Sequence, residues 1–280
     1  MTIILRKVND HVVKPVPNKN KDNRPPLHHE ITNEVYPNIC ICAPKNSGKS
    51  TVVYDIVTSA VGPDTKVIIF AATLGQDHTY KELCKWLKRK AVPVDKNTSI
   101  FNDKGVNKLD ELLKAFQLEY PESDDESDDD VIKIPDQPSS LALKLMEEEK
   151  RKKNVRKPKF QSPDYILVFD DFSHQMKNKA IVEFFKENRH YKSMCICSSQ
   201  AIIDWKPEQR SQIDLWIIMN KLTKDALEVI HHDAGMSVPF DSFLEFYKTA
   251  INYRPYSFLT YDKNTKIFKT NFNLDMVLKP

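Results

Sequence analysis

The sequence predicts a three-layer α/β fold with a mostly parallel central sheet. Short apolar runs rich in β-branched residues alternate along the chain with longer amphipathic segments, which is the order of strands and helices in such a sheet. A run such as KVIIFAAT is continuously apolar, as is typical of a parallel strand buried on both faces. With 280 residues, the chain is long enough to bury the core of one elaborated domain.

The predicted elements are justified by their periodicity and by the polar segments that separate them. In chain order they are a strand at 37–42, a helix at 49–61, a strand at 66–73, a helix at 79–90, a strand at 165–171, a helix at 175–188, strands at 193–200 and 214–220, a helix from about 222, and a C-terminal β-hairpin that turns at 262–265.

Two segments are predicted to lie apart from this core. Residues 1–34 form a polar, proline-bearing lead-in, and a P-loop-type domain spans 35–280, interrupted by a charged insertion at 119–160. The insertion contains EYPESDDESDDD, with eight acidic residues, and KRKKNVRKPK, with seven basic ones. Such blocks are usually solvated and mobile. The alternatives are a loop regulated by phosphorylation of Ser123 and Ser127, or a basic tether for DNA phosphates.

Composition predicts a soluble, intracellular protein. The chain has 42 basic and 39 acidic residues, a net charge of +3, which is too small to indicate nucleic-acid binding from bulk charge. It contains no apolar stretch of membrane-spanning length and no signal peptide. The five cysteines are expected to be reduced and buried, because they lack the spacing of a disulfide framework. The alternative is a zinc site built from the C-x-C pairs at 40–42 and 195–197.

The stretch APKNSGKST, residues 43–51, predicts a phosphate-binding loop between the first strand and the first helix. Such a loop directs backbone amides and a helix N-terminus at phosphate oxygens. Gly48 leaves room for a phosphate, Lys49 would bridge the β- and γ-phosphates, and the Ser50 hydroxyl would bind Mg²⁺. Ala43 stands where such loops usually begin with glycine. The predicted ATP-binding residues are Ala43, Pro44, Lys45, Asn46, Ser47, Gly48, Lys49, Ser50 and Thr51.

A second motif, YILVFDD, supports the first. A buried parallel strand that ends in Asp170 would present this carboxylate to a phosphate-bound Mg²⁺. Asp171 occupies the position where ATP-hydrolysing proteins place the carboxylate that polarises the attacking water. The alternative is an acidic surface turn after a core strand.

Two later residues fit hydrolysis rather than binding alone. Gln200 ends the strand MCICSSQ and is suited to sense the γ-phosphate. Arg210 precedes another buried strand and could neutralise charge in the transition state, as arginine fingers do. The alternatives are a strand-end cap for Gln200 and an ordinary surface arginine for Arg210.

Together these motifs resemble the viral genome-packaging ATPases of the FtsK–HerA superfamily, most closely the poxvirus-type branch found in large DNA viruses, virophages and polinton-like elements. The resemblance covers roughly residues 35–272. It implies a RecA-like (ASCE) core with Walker A and Walker B motifs, and ring-shaped, commonly hexameric oligomers that translocate double-stranded DNA into a capsid. By motif match, Lys49 and Ser50 bind ATP and Mg²⁺, Asp170 holds the metal, Asp171 is the base, Gln200 is the sensor, and Arg210 is a finger acting on a neighbouring subunit.

This resemblance makes an ATP-hydrolysing DNA-packaging motor the leading functional hypothesis, with capsid proteins as partners and no membrane. It places the protein in the host cytoplasm or a viral factory, or in association with the virion. Two alternatives stay open: a P-loop kinase or transferase for a small acceptor, and a nucleotide-dependent capsid-assembly scaffold without turnover. Asp171 departs from the glutamate usual in the family, and its carboxylate is one methylene shorter.

Overall fold

The computed structural model describes residues 22–120, 159–172 and 175–277. The first 21 residues of the lead-in and residues 121–158, which hold most of the charged insertion with Ser123 and Ser127, lie outside the described residues. In the described part of the chain, no helix combines the length and the apolar character that a membrane span requires.

Strands and helices alternate as the sequence predicts. The strands are β1 Asn38–Cys42, β2 Lys66–Ala71, β3 Val94–Asn97, β4 Tyr165–Asp170, β5 Ser193–Ser199, β6 Leu215–Ile218, β7 Leu259–Asp262, β8 Ile267–Thr270 and β9 Leu274–Met276. The helices are α1 Lys49–Ala60, α2 His78–Arg89, α3 Lys108–Glu119, α4 Lys179–Glu187, α5 Pro207–Ser211, α6 Lys224–Asp233 and α7 Phe240–Ile251.

The nine strands of the described residues form one sheet in the order β3-β2-β4-β5-β1-β6-β7-β8-β9. The strands from β3 to β6 pair in parallel, and β7, β8 and β9 continue the sheet antiparallel. The predicted α/β class, with a mostly parallel sheet and an appended antiparallel hairpin, is therefore confirmed. β1 lies between β5 and β6, so the segment that follows β1 starts from the middle of the sheet.

Helices cover both faces of this sheet. Successive side chains of a strand point to opposite faces; in β1, Ile39 and Ile41 join the apolar cluster under α1 and α2. Cys40 and Cys42 join the cluster on the other face, which includes side chains of α3, α4, α6 and α7. Because both faces of the sheet are buried, the sequences of the parallel strands are continuously apolar. The sheet and the helices on its two faces form the three predicted layers.

Several boundaries differ from the prediction. α4 begins at Lys179 rather than at 175, because the Asn178 side chain accepts a hydrogen bond from the amide of Ala180 at 2.9 Å and caps the helix there. β3 and α3 were not predicted, and β9 adds a third antiparallel strand to the expected hairpin. The sequence of β3, VDKN, is half-exposed to exposed over its first three residues, so it lacks the apolar run used to find strands.

The last part of the lead-in packs against the domain. Pro26 forms a bridge to Gln161, and Ile31 is buried in the apolar cluster beneath α1. His28 is only 1% exposed, and its Nε2 lies 2.8 Å from the carbonyl oxygen of Glu34. Residues 22–34 are thus held to the core, although their composition is that of a polar linker.

The cysteines agree with the prediction of reduced, buried thiols. All five are free; four are buried and Cys84 is half-buried. The Sγ atoms of Cys40 and Cys42 are 3.6 Å apart, as are those of Cys195 and Cys197. Burial raises the pKa of Cys40 well above its ordinary value, so this thiol is unreactive.

Candidate active site

The loop at 43–48 connects the centre of the sheet to α1. Ala43 is fully buried, and its amide donates to the carbonyl oxygen of Ser199 at 3.0 Å, so it extends the β1–β5 ladder. Asn46 and Gly48 then adopt left-handed backbone conformations, with φ of 59° and 93°. Left-handed backbone favours glycine, which explains why this glycine-poor chain has one at 48. Ala43 needs no such freedom, because it lies in extended backbone.

Several backbone amides of the loop have no hydrogen-bond partner among the described residues. Gly48 caps α1 through its carbonyl oxygen, which accepts from the amides of Thr51 and Val52 at 3.0 and 3.2 Å. The amides of residues 46–50 make no hydrogen bond to any described residue. A concave turn of free amides at the N-terminus of a helix is an anion-binding arrangement. The loop therefore fits the phosphates of a nucleotide.

Lys49 lies between two carboxylates. Its Nζ is 3.0 Å from Oδ1 of Asp170 and 3.6 Å from Oδ1 of Asp171. Both contacts are ion pairs without well-aligned hydrogen bonds, so the buried ammonium still has donors to offer. A phosphate oxygen is the acceptor that would use them. The two predicted motifs thus meet in space, because the carboxyl ends of β1 and β4 lie at the same edge of the sheet.

Both carboxylates have partners on β5 or directly after it. Ser198 lies beside Asp170 in the register of β4 and β5, and its hydroxyl donates to Oδ1 of that residue. The side-chain amide of Gln200 donates to Oδ1 of Asp171 at 2.6 Å. Asp171 itself has a φ of 60°, a conformation that non-glycine residues adopt mainly where their surroundings impose it. Gln200 therefore contacts the proposed base instead of merely capping a strand.

The structure adds a third carboxylate, Asp77, that sequence reasoning missed. Its Oδ2 accepts from the Ser50 hydroxyl at 2.8 Å, and its Oδ1 accepts from the amide of Thr79 at 2.7 Å, which caps α2. Asp77 follows β2, whose carboxyl end lies at the same edge as Asp170. The signal was present in the sequence as D-x-T at the start of a helical pattern.

A buried tyrosine, Tyr80, lies beside Asp170. Tyr80 is 1% exposed, and its hydroxyl faces the carboxylate of Asp170, to which it donates a hydrogen bond. Burial, together with the negative charge of Asp170, raises the pKa of Tyr80 well above its usual value. The phenol therefore stays protonated and is available as a hydrogen-bond donor.

The oxygen atoms at this edge fit Mg²⁺. They comprise one hydroxyl, on Ser50, and the carboxylates of Asp77, Asp170 and Asp171, and hard oxygen donors are those that Mg²⁺ prefers. No three acidic, histidine or cysteine side chains in the described part of the chain are arranged to hold a metal by themselves. In nucleotide sites, Mg²⁺ is usually held by one or two carboxylates together with water and the phosphates of the substrate.

The structure does not bring Arg210 to the other site residues. Its Nε is 2.6 Å from Oδ2 of Asp233 at the end of α6, and its Nη1 donates to the carbonyl oxygens of Ile202 and Trp205 at 3.3 and 3.1 Å. The side chain is 12% exposed, so it is no ordinary surface arginine either. Its action on a neighbouring subunit stays a prediction, and it requires the ion pair with Asp233 to open.

No protein-family model and no curated protein matches the chain. Among solved structures, the chain is similar to the genome packaging NTPase B204 from Sulfolobus turreted icosahedral virus 2 in complex with AMP. The TM-score is 0.49 at 19% identity, covering 85% of this chain and 98% of that one.

It is also similar to two ATPases of larger proteins. EssC (ATPases 2 and 3) from Geobacillus thermodenitrificans gives a TM-score of 0.49 at 12% identity, covering 87% of this chain and 41% of that one. The type VII secretion ATPase EccC from Thermomonospora curvata gives 0.44 at 13% identity, covering 80% and 24%. All three identities are below 20% and all three TM-scores are below 0.5, so the function is argued from the site.

Proposed function

We propose that this chain is a Mg²⁺-dependent ATPase that translocates double-stranded DNA and packages a viral genome into a capsid. One observation carries the enzymatic part: the loop lysine, two carboxylates and a glutamine form a continuous set of contacts, Lys49 to Asp170 and Asp171, and Asp171 to Gln200. The order of the motifs, which resembles that of packaging ATPases, supports the DNA-translocating part.

Each residue has a distinct task in this proposal. The free amides of residues 46–50 bind phosphate oxygens, and Lys49 moves from the carboxylates to the β- and γ-phosphates. Ser50 and Asp170 would hold Mg²⁺, which would neutralise part of the charge on the phosphates. Departure of Lys49 leaves Asp171 free to orient water and accept its proton, and Gln200 fixes the direction of that carboxylate.

The proposal extends to the assembly. Copies of the chain form a ring, in which Arg210 of one subunit leaves Asp233 and reaches the ATP of the next. The ring encircles double-stranded DNA and docks on capsid proteins in the cytoplasm or a viral factory. Support for these partners comes from the motif resemblance, and support for Arg210 from its position before β6.

The decisive experiment is steady-state ATP hydrolysis by the full chain with and without double-stranded DNA. We expect Mg²⁺-dependent turnover that DNA stimulates and that Lys49→Ala abolishes. Lys88→Ala is the matched control, because Lys88 is an exposed lysine in the last turn of α2 and outside the loop. ATP binding without turnover would favour a scaffold, and phosphate transfer to a small acceptor in place of water would favour a kinase; either result contradicts the proposal.

A further inference from the structure

A cavity of about 620 Å³ opens beside the loop glycine. Gly48 and Thr51 form its loop side, and Tyr256, Phe258 and Phe272, from the segments before β7 and after β8, face them. The nine residues that line the cavity include no lysine or arginine. The lining is mostly apolar but includes Asp55. The cavity therefore suits a flat, uncharged group with hydrogen-bond donors on its edge and not a second phosphate.

Tyr256 covers the loop without being part of the core. Its Cδ1 lies 3.5 Å from the position that a Cβ on Gly48 would occupy, which is van der Waals contact. The residue is nevertheless 69% exposed and has a φ of 65°, a conformation that tyrosine rarely adopts. A large aromatic side chain that is exposed, held in an unusual conformation and placed against a ligand loop is positioned for contact with a ligand.

Two further aromatic rings form the rest of the wall that faces the loop. Phe258 and Phe272 meet edge to face, with ring centroids 5.1 Å apart and an interplanar angle of 65°. Asn271 joins the two segments: its amide donates to the carbonyl oxygen of Phe258 at 2.9 Å, and its Oδ1 accepts from the amide of Phe258 at 3.2 Å. These polar atoms are already paired, so the wall offers ring faces and few groups that could read the edge of a base.

We propose that this cavity binds the purine base of the nucleotide whose phosphates lie on the loop, with Tyr256 as its stacking platform. The inference rests on the proposed function, since it assigns the base to the same site. Stacking on the aromatic rings supplies most of the affinity for the base, so adenine and guanine nucleotides both bind. Asp55 is the acidic group of the cavity that can accept from an amine on the edge of either purine. Continuity of the cavity with Gly48 and Thr51 selects a nucleotide over any separate ligand.

The test separates the base from the phosphates. Binding of Mg²⁺–ATP, Mg²⁺–GTP and Mg²⁺–tripolyphosphate to the full chain is measured by calorimetry for the wild type, Tyr256→Ala and Tyr256→Phe. Tyr253→Ala is the control, since Tyr253 is an exposed neighbour outside the cavity. We expect ATP and GTP to bind roughly tenfold more tightly than tripolyphosphate. Tyr256→Ala should remove that advantage and leave tripolyphosphate binding unchanged, and Tyr256→Phe should retain it.

Three outcomes would overturn the assignment. If Tyr256→Ala weakens ATP and tripolyphosphate equally, Tyr256 acts on the loop and not on a base. If the wild type binds tripolyphosphate as tightly as ATP, or Tyr256→Ala changes only self-association, the cavity holds something other than the base, although the phosphate loop is still valid. If the wild type binds neither ligand, the proposed function fails and the base pocket fails with it.

Discussion

Asp77 does two things with one carboxylate. One oxygen caps α2 and the other holds the hydroxyl of Ser50, the residue proposed to bind Mg²⁺. Groups that orient a metal ligand without being part of the metal's own coordination influence affinity strongly, because they fix the ligand and add charge nearby. Asp77 is thus a positioning residue for the metal site as well as a structural cap.

We expect Asp77→Asn to separate these roles. Asparagine caps helices as well as aspartate and still accepts from Ser50, but it lacks the negative charge. The Mg²⁺ concentration needed for ATP binding should rise about tenfold or more, while the melting temperature stays near that of the wild type. The control is Glu82→Gln, a charge removal on the exposed part of the same helix. An unchanged Mg²⁺ dependence in Asp77→Asn would mean that Asp77 serves only as a cap.

At the scale of elements, the parallel core was predictable because burial on both faces leaves a continuous apolar signal in each strand. β1, β2, β4, β5 and β6 carry that signal, and three of them, β1, β4 and β5, bring Lys49, Asp170 and Gln200 to one edge. The half-exposed edge strand β3 does not carry it.

The parts of the site that were missed depend on folding of distant segments. Asp77 contacts Ser50, which is 27 positions away in sequence, and Tyr256 contacts Gly48, which is 208 positions away. The D-x-T pattern marks Asp77 as a helix cap, but no local pattern encodes either contact. The partner of Arg210 could not be predicted either. The sequence shows only that Arg210 precedes a buried strand, whereas its ion pair with Asp233 arises from the packing of α5 against α6.

The lead-in gives the fold a dependence on pH. Burial lowers the pKa of His28 from 6.5 to about 4, so the folded chain keeps this imidazole neutral while the unfolded chain binds a proton below pH 6.5. The contribution of His28 to stability is complete above pH 6.5 and is lost as pH falls to about 4, on the order of 3 kcal/mol at most.

Chemical denaturation between pH 7 and pH 4 measures this effect. His28→Gln can still donate to the carbonyl oxygen of Glu34 but does not titrate, so its free energy of unfolding should fall less steeply with acid than that of the wild type. His78→Gln is the control, because the side chain of His78 is 87% exposed. Equal slopes for the wild type and His28→Gln would show that protonation of His28 does not oppose folding.

At the scale of the whole molecule, one chain contains every group of the proposed mechanism except the cation proposed to act on the transferred phosphate. Arg210 is the predicted source of that cation, yet here it is bound to Asp233. Replacing Arg210 alone would leave the mostly buried carboxylate of Asp233 without its arginine partner and cost about 3 kcal/mol of stability. A loss of activity in that variant would therefore be ambiguous between folding and catalysis.

The double variant Arg210→Gln with Asp233→Asn resolves the ambiguity. Because it removes both charges, it should be more stable than Arg210→Gln alone and should still bind ATP. We expect it to lack DNA-stimulated hydrolysis by itself and to regain part of it when mixed with Lys49→Ala subunits, which supply intact Arg210. Absence of any regain in mixtures that assemble normally would argue against action across a subunit interface.

The central claim is that hydrolysis at this site moves double-stranded DNA. The most direct measurement is ATP-driven displacement of a triplex-forming oligonucleotide from linear duplex DNA by the full-length chain. The account predicts displacement by the wild type, and none by Lys49→Ala or by Asp171→Asn, although Asp171→Asn still binds ATP. Hydrolysis of ATP by the wild type without displacement of the third strand, under conditions in which the chain binds the duplex, would contradict it.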